Sequence, residues 1–122
     1  MRLWIGWGVG DMAFIIPKRL GQGAVTTGAG LLVYTAPTLI TTIVKCIDIC
    51  NTTAGALTVS VHLVASGGSV ATSNALFYNI SIPGASQYQW TGTQILNTGG
   101  FIQAIGSAAG LTINAAGGEY TP

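Results

Sequence analysis

The chain predicts an all-β fold, an antiparallel β-sandwich of about eight strands in a jelly-roll-like arrangement, preceded by an extended N-terminal arm. Three observations predict it. From Leu31 onward, apolar and polar residues alternate with a period of two, as strands with one buried face require. Turn clusters rich in Gly, Asn, Ser and Pro interrupt that pattern at intervals of roughly 10 to 15 residues. No stretch carries the 3.6-residue repeat of an amphipathic helix.

The elements follow in order. Leu32-Val33-Tyr34-Thr35 is a short β-type run stopped by Ala36-Pro37. From Leu39 to Cys50 the β-branched run places apolar residues on both parities, which predicts a central strand with a bulge or with two covered faces. Asn51 to Gly55 is a turn cluster. The next strand is the most regular: Leu57, Val59, Val61 and Leu63 alternate with Thr58, Ser60 and His62, predicting one face in the core and one in water. After Ser66-Gly67-Gly68-Ser69, the run Ala75 to Ile82 puts Leu76, Tyr78, Ile80 and Ile82 on one face, with Asn79 and Ser81 opposite. Gln87-Tyr88-Gln89-Trp90 alternates amide and aromatic, and Thr93 to Leu96 allows a single helical turn. Asn97 to Gly100 turns into Phe101-Ile102-Gln103-Ala104-Ile105. A last strand carries Leu111 and Ile113 inward before Gly117-Gly118 and a short tail. These elements assign residues 31–122 to the sandwich and residues 1–30 to the arm, whose Gly21 to Gly30 stretch reads as an extended linker.

Composition narrows the function. The 122 residues make one domain, 49% hydrophobic and 6% charged, with 18 glycines and a net charge of +1. An ordinary soluble domain is about 25% charged. Between Asp48 and Glu119 no Asp, Glu, Lys or Arg occurs, so that surface is wetted by Thr, Ser, Asn, Gln and backbone. Disordered chains are charged and poor in aliphatic residues, unlike this one. Nucleic-acid binding calls for clustered cations, and the only ones are Arg2, Lys18, Arg19 and Lys45. No continuous apolar run reaches the roughly 18 residues of a membrane-spanning helix, and most strands are shorter than the roughly 9 to 11 residues of a membrane barrel strand. Neither a nucleic-acid nor a membrane partner is expected. The opening Arg2-Leu3-Trp4-Ile5 mimics a signal peptide, but Gly6, Gly8, Gly10 and Asp11 break its apolar core. Met1 and Met12 both open readable starts.

Catalytic chemistry is poorly supplied, and no enzyme is expected. Gly21 to Gly30 lacks the strand, helix and Lys-Ser or Lys-Thr pair of a phosphate-binding loop. Cys46 and Cys50 would lie on one strand face, about 13 Å apart, too far for a disulfide, and read as buried reduced thiols. With one histidine, a four-ligand zinc site is not available within one chain, and no metal or other cofactor is expected. His62 reads as a solvent-facing or interface residue. Ser60, on the same face, would stand about 7 Å along the strand, beyond hydrogen-bond reach. Tyr88 and Trp90, flanked by Gln87 and Gln89, form a candidate glycan contact weighed against plain core packing. Asn51-Thr52-Thr53 and Asn79-Ile80-Ser81 match the glycosylation sequon by chance. In the arm, Trp4, Trp7, Phe14, Ile15 and Ile16 are the candidate interface anchors, since large aromatic and aliphatic side chains dominate interfaces.

The ordered series Tyr34-Thr35-Ala36-Pro37, Ile47 to Thr52, Thr58-Val59-Ser60-Val61, Tyr78 to Pro83, Trp90, Leu96-Asn97-Thr98-Gly99 and Ile102-Gln103-Ala104 resembles small β-sandwich virion proteins of tailed bacteriophages. It is most similar to head decoration (cement) proteins, with tail or baseplate modules close behind. The resemblance covers residues 31–118 and not the arm. It implies a homotrimer that clamps major capsid subunits from outside, near local three-fold positions, with no catalytic residues. It also implies a virion location after assembly in the bacterial cytoplasm. The arm would then reach neighbouring subunits.

Overall fold

The computed structural model describes residues 14–121. Eight strands make up two open antiparallel sheets: β1 (Phe14–Val25), β2 (Leu31–Thr35), β3 (Thr41–Asn51), β4 (Leu57–Val64), β5 (Ala75–Ile82), β6 (Ser86–Leu96), β7 (Phe101–Gly106) and β8 (Leu111–Thr121). Sheet A has the order β1-β8-β3-β6 and sheet B the order β2-β7-β4-β5. Strand β1 pairs with β8, β2 with β7, β3 with β6 and β4 with β5, as in one long hairpin folded over. The β3–β8 and β4–β7 pairs then close each sheet. That is the eight-stranded jelly roll, and the all-β sandwich expected from the alternation. Among the described residues no helix is long and apolar enough to cross a membrane.

The core lies between the sheets. Val44, Ile47 and Ile49 of β3, Val59 and Val61 of β4, Ile102 of β7 and Ile113 of β8 are all but fully buried. Three irregularities line up across sheet A: an extra residue in β1 at Leu20, one in β3 at Lys45 and a shift in β6 between Thr91 and Gln94. Because a bulge changes which face later residues occupy, Val44 and Ile47 both point inward. The apolar residues on both parities of this run thus have the expected bulge as their cause.

Several elements differ from the sequence reading. Residues 14–25 are not part of a free arm. They form the edge strand of sheet A, paired with β8 along its length, so the arm–sandwich boundary at residue 30 gives way to a strand beginning at Phe14. Its glycines are what the packing requires, since a Cβ at Gly21 would come within 2.3 Å of the Val33 carbonyl oxygen. Gly117 and Gly118 likewise continue β8 rather than ending it. Thr93 to Leu96 is strand, not a helical turn, held by pairing with β3. The short 3-10 turn among the described residues is Thr72–Asn74, in the β4–β5 connection.

Candidate functional site

Of the candidate anchors, Trp4 and Trp7 lie outside the described residues, and Phe14 heads β1 opposite Thr121. Ile15 and Ile16 are 58% and 56% exposed on that edge strand. As successive strand residues they point to opposite faces and do not form one stripe. Ile15 belongs to the outer face of sheet A. There, the register puts Pro17, Gly118, Ile43 and Ile95 in one row and Ile15 and Tyr120 in the next. Ile15, Pro17, Ile43 and Gly118 line a trough of about 450 Å³, with Lys45 and Thr93 at its rim, the ammonium donating to the hydroxyl at 2.8 Å. Gly118 forms its floor, where an added Cβ would lie 2.8 Å from Ile15 Cγ2. Ile95 is 53% and Tyr120 37% exposed on this corner, beside Ile15 at 58%.

Beyond the bulge line the same face turns polar. Cys46, Asp48 and Cys50 alternate with the buried Ile47 and Ile49, so both thiols point outward rather than filling the core, and both are unbridged. The Cys46 thiol donates to Asp48 Oδ2 at 3.7 Å, and Gln89 Nε2 donates to the sulfur at 3.6 Å. No group of His, Cys, Asp and Glu among the described residues could hold a metal ion.

The aromatic pair on β6 faces the other way. Tyr88 and Trp90 pack against the core, the Tyr88 ring standing 5.1 Å from that of Phe77 at 67°. Gln87 and Gln89 lie on the opposite, exposed face, so strand alternation separates the amides from the rings they would assist. Asn51 is also unavailable as a glycosylation acceptor: it is fully buried, with its amide nitrogen donating to the carbonyls of Gly55 and Ile82.

On the outer face of sheet B, His62 is 2% and Ser60 5% exposed, contrary to the water-facing reading. The reason is a roof. The β4–β5 connection folds back over β4, and His62 Nδ1 reaches Asn74 Oδ1 at 2.9 Å and the Ala71 carbonyl at 3.0 Å. Asn74 Oδ1 also accepts from the Ala71 N–H while its Nδ2 donates to the Ser69 carbonyl, which fixes the amide's orientation. Both neighbours of Nδ1 are therefore acceptors, so Nδ1 carries the proton. Ser60 serves β5 instead: Asn79 N–H donates to its oxygen at 2.8 Å, and its hydroxyl faces Asn79 Oδ1 at 3.3 Å. That pair spans a bulge, where Val59 opposes Ile80 but Val61 opposes Phe77, and Asn79 adopts φ 49°. The extra residue turns Phe77 inward and leaves Tyr78 outward and 54% exposed, reversing the Tyr78 assignment made from alternation.

A cross-sheet relay joins four strands. Tyr34 of β2 donates its hydroxyl to Glu119 Oε2 of β8, at 2.6 Å. The buried Thr42 hydroxyl of β3 stands 2.7 Å from the same phenolic oxygen, and with the Tyr34 proton committed to the carboxylate, Thr42 is the donor. Lys18 of β1 closes the chain with an ion pair to Glu119 at 3.1 Å. Burial, then the bond to Glu119, pushes the Tyr34 phenol up to about 12. The Tyr34 hydroxyl bond, with help from Lys18, holds the Glu119 carboxyl below the usual carboxylate range. The sequence signal was Glu119 itself, the only acid after Asp48, although nothing local paired it with Tyr34.

With the jelly roll and its uncovered corner described, comparison with known protein families and with curated proteins finds no match.

Proposed function

We propose that the protein is a non-enzymatic, self-associating structural protein of a virion: a head decoration (cement) protein that clamps neighbouring major capsid subunits from outside. A tail or baseplate module is the alternative within the same class. The observation that carries the reading is the apolar corner of sheet A, where a trough walled by Ile15, Pro17 and Ile43 adjoins the exposed side chains of Ile95 and Tyr120. An uncharged β surface suits repeated protein contact, because its burial desolvates few ions. The low-charge composition and the resemblance of residues 31–118 to such proteins favour the same reading, and the two unbridged thiols fit assembly in a reducing cytoplasm. Trp4 and Trp7, outside the described residues, remain the proposed arm anchors.

The test is the solution mass of the full chain by light scattering on a sizing column, beside a chain lacking residues 1–13. Because β1 begins at Phe14, a longer deletion would strip a strand from sheet A. A trimer that loses subunits when the segment is removed supports the reading. A monodisperse monomer for the full chain overturns it.

A further inference from the structure

A second surface feature, independent of the oligomeric reading, lies on the outer face of sheet B. Between the roof and β5 is a hollow of about 290 Å³, lined by Ser60, His62, Thr72, Tyr78 and Asn79 with a small apolar strip from Val70 and Ile105. We infer that this hollow binds a single pyranose ring, as the recognition site for a neutral saccharide.

The chemistry of the lining selects the ligand. No Lys, Arg, Asp or Glu borders the hollow, so neither an anion nor an ammonium group finds a counter-charge. The apolar strip is too small for an acyl chain. What remains is an alternation of hydroxyl, amide, imidazole and aromatic groups, the set that meets a ring carrying hydroxyls on its edges and C–H groups on its faces. The volume is just under the roughly 300 Å³ at which pockets for drug-sized ligands begin, which suits one sugar ring rather than a longer chain.

The lining is also held in place. His62 is 2% exposed, and its ring is fixed through Nδ1 by Asn74 and Ala71. Its other nitrogen, Nε2, which is an acceptor whenever the ring is neutral, has no partner among the described residues. Asn79 commits its Oδ1 to Ser60, which leaves Nδ2 as a donor. The bulge that gives Asn79 its left-handed backbone also turns Tyr78 outward, beside His62, with the two rings at 81° and centroids 6.4 Å apart. One acceptor, one amide donor and one exposed aromatic ring thus converge from β4 and β5. Groups fixed before the ligand arrives lose little freedom on binding.

The experiment is an NMR titration of the isotopically labelled full chain with methyl glycosides of glucose, galactose, mannose and N-acetylglucosamine, with glycerol as a control. At least one glycoside should shift the Thr72, Tyr78 and Asn79 amide signals saturably, with a Kd on the order of 1–10 mM, as a shallow site with few hydrogen bonds provides. Tyr78→Ala, a change at an exposed side chain, should weaken that binding at least tenfold, and Tyr78→Phe should retain it. The proposal is overturned if no glycoside moves these signals, if glycerol moves them equally, or if the shifts map to Tyr88 and Trp90 instead. Unchanged binding by Tyr78→Ala also overturns it.

Discussion

The two sheets share a topology but treat their outer faces differently. On sheet B, His62 and Ser60 of β4 are buried, His62 beneath the β4–β5 connection that pairs with it. On sheet A, the apolar side chains Ile15 and Ile95 stand more than half exposed, and no described connection crosses them. The chain therefore spends a loop on covering an imidazole while leaving aliphatic groups in water. Covering polar groups requires matched hydrogen bonds, which a loop of the same chain supplies in fixed register. Covering aliphatic groups requires only complementary area, which a partner supplies as readily. On the proposed reading, this contrast makes sheet A the face offered to a protein partner.

The largest expected effect comes from removing the roof's anchor. His62→Ala deletes the two Nδ1 contacts and leaves a void at a site that is 2% exposed. A loss of about 2–4 kcal/mol in unfolding free energy follows from cavity formation plus the unpaired Asn74. Urea unfolding measures the loss, and hydrogen exchange should show protection falling first in residues 65–74. A change below about 0.5 kcal/mol, within the range of an ordinary surface substitution, would mean that the loop covers β4 without His62 and that the two faces are less distinct.

The seam between the sheets should respond next. Tyr34→Phe removes the donor to Glu119 and leaves the Thr42 hydroxyl, fully buried, without its acceptor, for a loss of about 1–3 kcal/mol. Its pH signature has two limbs. Glu119 titrates lower in the folded chain than its ordinary 4.5, so its contribution is complete above that value and is lost as pH falls through the lowered folded value. Tyr34 titrates higher, at about 12 against 10.0, so its contribution is present below 10 and is lost as pH rises toward 12. Stability of the wild-type chain against pH should show both limbs, and Tyr34→Phe should flatten both. Retention of the acid limb at full size in the variant would assign it to Lys18 rather than to the phenol.

The legible parts of this fold were those set by local pattern. Strict alternation marked β4, and apolar residues on both parities of β3 allowed a bulge or two covered faces, of which the structure shows the bulge, at Lys45. Strand β1 was obscured by Gly21 and Gly23, which fall in the stretch that reads as linker. The small size of Gly21 is a demand of packing against Val33, a residue of the other sheet, and so has no local trace. His62 shows the limit of periodicity: alternation names the face a residue occupies but not what later folds over it. Tyr78 shows another, since a one-residue bulge in β5 reversed its side. The Tyr34–Glu119 bond joins residues 85 apart, and only the jelly-roll pairing of β8 beside β3 brings them together. The trough likewise depends on register across β1, β8, β3 and β6, whereas the sequence supplied only Ile15 among its walls as a candidate.

The smallest effect on stability should come with the clearest effect on assembly. Ile95 of sheet A and Leu32 of sheet B are almost equally exposed, at 53% and 54%, and both point away from the core. Leu32 lies opposite Gln103, which stands between it and His62 on the outer face of sheet B, so it serves as a matched control. Lysine at either position should alter unfolding free energy by less than about 0.5 kcal/mol, as at most surface sites. Ile95→Lys should nevertheless reduce the solution mass to that of a monomer, because an ammonium group placed in a contact without a partner must be desolvated. Leu32→Lys should leave the mass unchanged. If both variants keep the mass of the wild-type chain, the corner of sheet A that holds Ile95 beside the trough is not the docking surface. If only Leu32→Lys dissociates the assembly, the faces exchange roles and association must be sought beside the roof. Agreement with the expected pair would place the contact on the four-strand register of sheet A, whose exposed apolar corner draws residues from β1, β8, β3 and β6.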